Sequence, residues 1–406
     1  MLCPLSPYPA LAGRGPFRSK EVQMYLSEQE RDRRYGLVRG TMNEAGVDVL
    51  LVVGNNHASG SPLFSTGSFR YLTDFFIFSL YGLLLFFRED EPVMLVPMEL
   101  QEIMARKYSW IKDIRISFNY AETVAQVLKE KRLDDRKIGA ISMESLPASA
   151  YLSLKERLPK VVFSEATSLV LPFRFIKGEE ERLLMEKAGE LNDGAYQEVL
   201  KQLKPGMREY EVAGIIEGYH RGKGADKTFN LVFSGPFPST KDGIPFQGLP
   251  WCPGQRVIEK GDCVHMEMTT VYGGYWNQLV RIIAVGIPNT ELERFHRATV
   301  ATTQSGLRTM KPGMKMSEVI PSMAKTAEGY GFGLTTPMGH FVGLDLIEAR
   351  VDADSRVILE PGVAMILHPR LDDFKGRRII LWGETYFMTE RGPVRLTQTD
   401  DTLHTI

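Results

Sequence analysis

Lys204-Pro205-Gly206-Met207 and Lys311-Pro312-Gly313-Met314 are the same four residues written twice, 107 positions apart. Ahead of the first, Leu184, Ala188, Leu191, Ala195, Val199 and Leu203 recur at helical spacing behind an acidic start, Gly178-Glu179-Glu180-Glu181. That spacing gives a long helix one apolar face. A short helix is expected after each word, over Glu209 to His220 and over Ser317 to Tyr330. One such word is an ordinary helix stop. Two in the same helix–turn–helix context point to duplicated halves.

Strands fill the space between and after these helices. Cys263 to Thr270 alternates, with Val264, Met266 and Met268 on one face and His265 and Glu267 on the other. Tyr272-Gly273-Gly274-Tyr275 reads as a glycine turn, and Tyr275 to Val285 returns. Val363 to Leu367 and Ile379 to Met388 read as further strands. Upstream, a helix over Gln29 to Ala45 ends near Gly46, and the strand Val47 to Val53 follows. Val93 to Val96, a helix over Glu99 to Lys107 and a strand over Ile138 to Ser142 continue an α/β layer. The apolar run Tyr71 to Phe87 is broken by Asp74 and Gly82. Its clean part is shorter than the ~20 residues a bilayer needs, so it reads as two buried strands meeting near Tyr81-Gly82.

With 406 residues the chain exceeds one ordinary core. The expected division is an extended arm over 1–25, an α/β domain over 26–173 and a duplicated domain over 174–406. A net charge of -1 leaves no electrostatic footprint for nucleic acid or an anionic membrane. Three cysteines make no disulfide framework, and the Pro/Gly-rich start lacks a signal peptide's apolar stretch. A cytoplasmic protein is the expectation.

In order along the chain stand Arg70-Tyr71-Leu72-Thr73-Asp74-Phe75, Arg174-Phe175-Ile176-Lys177, Phe233-Ser234-Gly235-Pro236 and Lys260-Gly261-Asp262. Arg281, Gly339-His340-Phe341-Val342-Gly343-Leu344, Leu359-Glu360-Pro361-Gly362 and Thr389-Glu390-Arg391-Gly392 follow. This ordered set resembles the creatinase/prolidase, or pita-bread, family over nearly the whole chain after residue 25. The resemblance implies an amino-terminal α/β domain, a pseudo-twofold domain of two αβ halves, and a homodimer.

Peptidases of that family hold two divalent ions with two Asp, one His and two Glu. Two close dications need bridging carboxylates to offset their charge and activate the shared water. Here the five positions are Glu267, Gln278, His340, His368 and Gly383. Glu384, next along the strand, points to the other face. A dinuclear centre is therefore not expected, and the cofactor expectation is none. The alternative is one Zn or Fe ion on Glu267, His340 and His368. Creatinase is a metal-free branch, yet its catalytic His falls in the Pro250-Trp251 region, its Glu on Val280 and its substrate-binding Arg on Gly82.

His265, Glu267, His340 and His368 are the candidate catalytic residues, since three imidazoles and a carboxylate suit acid–base chemistry near neutral pH. In this reading Glu267 orients or charges one histidine while another moves a proton to or from the substrate. Gln278, Trp251 and Trp382 are the candidate substrate-binding residues, the aromatic faces suiting a small zwitterionic or cationic molecule. Arg281 reads as a structural strand residue. The expected activity is metal-independent cleavage of a C–N or related bond, as in the creatinase and ectoine-hydrolase branches. The alternatives are a mononuclear-metal hydrolase or lyase, as in dimethylsulfoniopropionate lyase, and a non-catalytic binding protein. Xaa-Pro peptidase activity ranks below these.

Overall fold

The computed structural model describes residues 25–55, 67–237, 254–372 and 380–406. The arm expected over residues 1–25 falls outside these ranges except for Tyr25, and Trp251 lies outside them too.

Helix α1 (Glu28–Glu44) starts where the Ser27 side chain accepts the Glu30 amide, and stops before Gly46 at φ +61. Glycine adopts that left-handed conformation without a Cβ clash, which is why it ends helices. Strand β1 (Val49–Asn55) follows. The run from Tyr71 to Phe87 is not two strands. Its front closes α2 (Gly67–Thr73), and only Tyr81–Phe87 is a strand, β2. A continuous apolar run carries no period, so helix and strand look alike in it. Asp74 and Leu80, at φ +50 and +56, are the breaks between the two elements.

Then come β3 (Val93–Val96), α3 (Glu99–Tyr108), β4 (Asp113–Ile116), α4 (Tyr120–Glu130), β5 (Lys137–Ile141), α5 (Ala148–Arg157) and β6 (Val162–Glu165). The six strands lie in the order β4-β3-β2-β1-β5-β6. Leu50, Val52, Leu84 and Phe86 pack on one side with Tyr35 and Val38 of α1. Val49, Leu51, Leu83 and Leu85 pack on the other with Val124 and Leu128 of α4. Burial on both faces explains the near-continuous apolar strands.

After α6 (Leu171–Phe175), the second unit opens with α7 (Glu179–Gln202), α8 (Glu209–Gly222), β7 (Lys227–Pro236), β8 (Asp262–Tyr272) and β9 (Tyr275–Ala284). It repeats with α9 (Thr290–Thr309), α10 (Met316–Gly329), β10 (Gly333–Thr335), β11 (Gly339–Phe341), β12 (Ala349–Arg350) and β13 (Ala364–Leu367). The chain closes with β14 (Arg370–Asp372), β15 (Ile380–Leu381), β16 (Gly383–Thr389), β17 (Gly392–Arg395) and β18 (His404–Thr405). The main sheet runs β12-β11-β13-β16-β9-β8-β7.

The duplication reaches down to single hydrogen bonds. In the first half the Gly206 amide donates to Ile258 O (2.8 Å) and the Ile258 amide to Met207 O (2.7 Å). In the second the Gly313 amide donates to Leu359 O (3.1 Å) and the Leu359 amide to Met314 O (2.8 Å). Bridges Arg208–Val257 and Lys315–Ile358 sit at equivalent places. The glycines of both words have positive φ, +95 and +85, so the repeated Lys-Pro-Gly-Met is a repeated turn.

Two buried ionic clusters join the units. Arg34 meets Glu30 (2.8 Å), Glu181 (3.0 Å) and the Tyr275 hydroxyl (2.9 Å). Arg174 meets Asp345 (2.5 Å) and Glu348 (3.0 Å), and Lys177 also meets Glu348 (2.7 Å).

Candidate functional site

The main sheet has a helix-backed face and an opposite face, and the alternation of each strand decides which residues face which way. Val264, Met266, Met268, Leu279 and Ile283 pack with Val199, Val212 and Ile216 of α7 and α8. Phe341, Met365 and Leu367 pack with Met316, Val319 and Met323 of α10. His265, Glu267, Gln278, Val280, His340 and Gly383 alternate with these and share the opposite face. Registers agree across the sheet: Glu267 pairs with Val280, Val280 with Gly383, and Thr269 with Gln278.

His265 is buried, donates from Nε2 to Leu381 O (2.9 Å), and lies flat against Phe233 (centroids 4.5 Å, 22°). Burial holds its pKa down at about 4. Its role in this geometry is structural as much as chemical, because one ring nitrogen ties β8 to β15.

His340 and His368 meet edge to face, centroids 5.4 Å apart at 69°. The Nδ1 atoms of both rings are buried without a hydrogen-bond partner. Burial first, then the neighbouring His368, lowers His340 to about 3; burial, with Arg370 adding to it, lowers His368 to about 4. Both are neutral imidazoles at neutral pH, able to accept a proton.

Glu267 behaves oppositely. Burial raises its pKa to about 7, and the positive charge of Arg370 only partly opposes that. Glu267 and His368 are enclosed by protein yet keep part of their surface accessible. The expected Glu267–histidine pairing is not formed among the described residues. Glu267 is met instead by Gln278 Nε2 (3.5 Å), which also donates to Thr269 Oγ1 (3.0 Å). Gln278 is 3% exposed; its Nε2 is taken up by Glu267 and Thr269, while its Oε1 is buried without a partner among the described residues.

Trp382 is corrected as well. It is 1% exposed, packed with Phe237, Ile282 and Phe295, covered by Arg281 at 4.6 Å and by His296 at 4.4 Å. No face of its ring is left for a substrate cation. Arg281 is the structural residue its sequence suggests: its guanidinium bonds Glu384 (3.0 Å) and the carbonyls of Val280, Gly383 and Thr399. Glu384 itself is taken up by Arg281, Arg395 (2.8 Å) and Tyr386 (2.8 Å), away from the site. Arg370 escaped the sequence reading, since it sits at no motif position; its only signal was a charge two residues after His368.

The donor set does not fit the family's pair of divalent ions. Gly383, where the resemblance places a ligand, is closed by backbone: a Cβ there would lie 1.9 Å from Leu367 O and 2.8 Å from His368 Cα. Gln278 brings a neutral amide whose nitrogen faces Glu267. Among the described residues no group of three or more His, Cys, Asp or Glu is placed to hold a metal ion, so the Glu267/His340/His368 set is not assembled as one centre.

The metallopeptidase family M24 model matches residues 183–398, and the creatinase/prolidase N-terminal domain model matches residues 34–176. An Xaa-Pro dipeptidase of Pyrococcus furiosus is 26% identical over 77% of this chain and 86% of its own length. An ectoine hydrolase of Halomonas elongata is 25% identical over 92% of this chain and 96% of its own. The solved Xaa-Pro dipeptidase of Bacillus anthracis superposes with a TM-score of 0.76 at 25% identity, over 93% of this chain and all of that one (100%). Prolidase from Thermococcus sibiricus, 22% identical, gives a TM-score of 0.78 over 94% of this chain and 100% of its own, which speaks for the fold alone. Duplicated αβ halves behind a six-stranded α/β domain, together with these matches, place the chain in metallopeptidase family M24.

Proposed function

We propose that this protein hydrolyses a C–N bond of a small molecule by histidine and glutamate acid–base chemistry, with no divalent metal in the reaction. The observation that carries the reading is the pair His340 and His368, neutral, in edge-to-face contact, each with a buried unpartnered Nδ1. Burial makes each imidazole a weak base, and its uncommitted nitrogen is the hydrogen-bonding position that a water or substrate proton can use. In the proposed step His368 takes a proton from water as the water oxygen bonds to the carbon of the C–N bond. Glu267, which still holds a proton near pH 7, gives it to the departing nitrogen. Proton and electron pair then balance: one proton leaves water, one reaches the amine, and the C–N electrons go with nitrogen.

Hydrolysis is preferred to elimination because the relatives named above, a dipeptidase and an ectoine hydrolase, are hydrolases by name. The closed position at Gly383 and the amide at Gln278 support chemistry without a metal pair.

The test is turnover of ectoine, N-acyl amino acids and Xaa-Pro dipeptides by protein stripped with a strong chelator. Activity should survive stripping, and His368→Asn and His340→Asn should each lower kcat by about 10²–10⁴. Activity that vanishes on stripping and returns only with added metal would defeat the proposal.

A further inference from the structure

We propose that Arg370 binds a carboxylate of the substrate, so that the site takes an amino-acid-like molecule and holds its C–N bond against His368. This deepens the hydrolase reading and rests on it.

Arg370 opens β14 two residues after His368, with its backbone paired to Leu381, the residue whose carbonyl meets His265 Nε2. Leu371 is fully buried in the apolar cluster of Phe295, Phe332 and Trp382. Strand alternation therefore turns Arg370 the other way, toward the site. Arg370 lies two residues beyond His368, and its positive charge opposes the rise of Glu267 and adds to the lowering of His368.

Arg370 carries a charge that no described carboxylate meets. Arg34, Arg174 and Arg281, the three described arginines buried to 1% exposure or less, all meet carboxylates at 3.0 Å or less. Arg370 has no ion pair among the described residues, and its buried Nε has no hydrogen-bond partner. The buried Nε is therefore an unmet donor, and the half-buried guanidinium keeps its other nitrogens for a ligand. A substrate carboxylate supplies the missing charge in the planar, two-pronged geometry that guanidinium favours.

The carboxylates around Arg370 leave its charge open. Asp372, on the same face of β14, accepts from Thr335 Oγ1 (3.2 Å) and Glu267 meets Gln278 Nε2 (3.5 Å), and neither forms an ion pair with Arg370 among the described residues. Trp382, the described aromatic that a cationic substrate would have used, is already covered by Arg281. An unpaired arginine beside neutral imidazoles selects an anionic group, with the scissile nitrogen carried elsewhere on the same molecule.

Isothermal titration of the full chain tests this with N-acetylglycine, N-acetylproline and the two matching carboxamides. Each acid should bind about tenfold or more tightly than its amide. Arg370→Gln should abolish the difference and Arg370→Lys should restore part of it, a rescue that a packing role would not give. Equal binding of acid and amide by the wild type, or a preference that persists in Arg370→Gln, overturns the assignment. Should Arg370→Gln fail to fold, the wild-type ratio and Arg370→Lys decide. Binding needs no turnover, so the two readings fail separately. A preference lost in Arg370→Gln with no C–N substrate cleaved keeps the anchor and removes the hydrolase. Full-rate cleavage of a carboxylate substrate by Arg370→Gln does the reverse.

Discussion

Glu267 and the histidines are pulled in opposite directions by one cause, removal from water, and this gives the site a pH signature. Burial favours the neutral form of each, so the acid moves up and the bases move down. Glu267 rises from 4.5 to about 7. Below 4.5 the folded and unfolded chains both hold its proton; as pH climbs to 7 only the unfolded chain ionises freely, and stability falls. His265 and His340 drop from 6.5 to about 4 and about 3, so their contribution is complete above 6.5 and is lost as pH falls toward those values. Glu267→Gln removes the alkaline penalty while leaving the acid one. Urea midpoints at pH 5 and pH 8.5 should show the variant gaining on the order of 2 kcal/mol over wild type between the two. The same substitution removes the proposed proton donor, so the fall in kcat above pH 7 should disappear along with most of the rate. A gain that is the same at both pH values would remove the shifted carboxyl from the account.

At the scale of an element, β16 shows how a strand both keeps and loses a site. Alternation puts Gly383 on the face shared with His265 and Glu267 and Glu384 on the helix-backed face, where Arg281 and Arg395 hold it. The close approach of Leu367 O means that Gly383 is required by packing between β13 and β16, not only permitted. Gly383→Ala should cost about 1–3 kcal/mol by overpacking, read as a lowered denaturant midpoint; an unchanged midpoint would show that the two strands part easily. The alternation that assigns these faces was readable in the sequence from Val264, Met266 and Met268 against His265 and Glu267. So was the duplication, because a Pro-Gly turn leaves the same letters wherever the same turn recurs. Three things were not readable. The run from Tyr71 to Phe87 has no period to separate helix from strand. Trp382 lies beside a motif position, and its partners Arg281, His296 and Phe295 come from β9 and α9, distant in sequence. Arg370 is conspicuous only through a missing partner, which is a property of three dimensions.

For the whole molecule, what fixes the site matters because no group of three or more His, Cys, Asp or Glu is placed to hold a metal ion among the described residues. The second ionic cluster supplies an answer. Asp345 accepts from the Gly67 amide (3.0 Å) at the start of α2 and from Arg174 (2.5 Å), while Arg174 also reaches Ser68 (3.0 Å). Asp345 and Glu348 lie just beyond His340, and the Leu346 backbone between them contributes to the environment of that ring. The small unit thus grips the segment that carries His340, through charges that are fully buried. Removing one member of such a cluster leaves the others uncompensated, at a cost of about 3–5 kcal/mol. Arg174→Met should therefore lower global stability by that order. It should also speed hydrogen exchange in two stretches at once, 67–73 and 340–350, because both lose the same anchor. Faster exchange in only one of them would mean that the units are held together elsewhere, with the Arg34–Glu181–Tyr275 cluster the remaining clamp. Slower turnover in Arg174→Met at unchanged Arg370-dependent binding would trace the coupling to His340 and its proton, since the carboxylate anchor sits on β14 and does not touch this cluster.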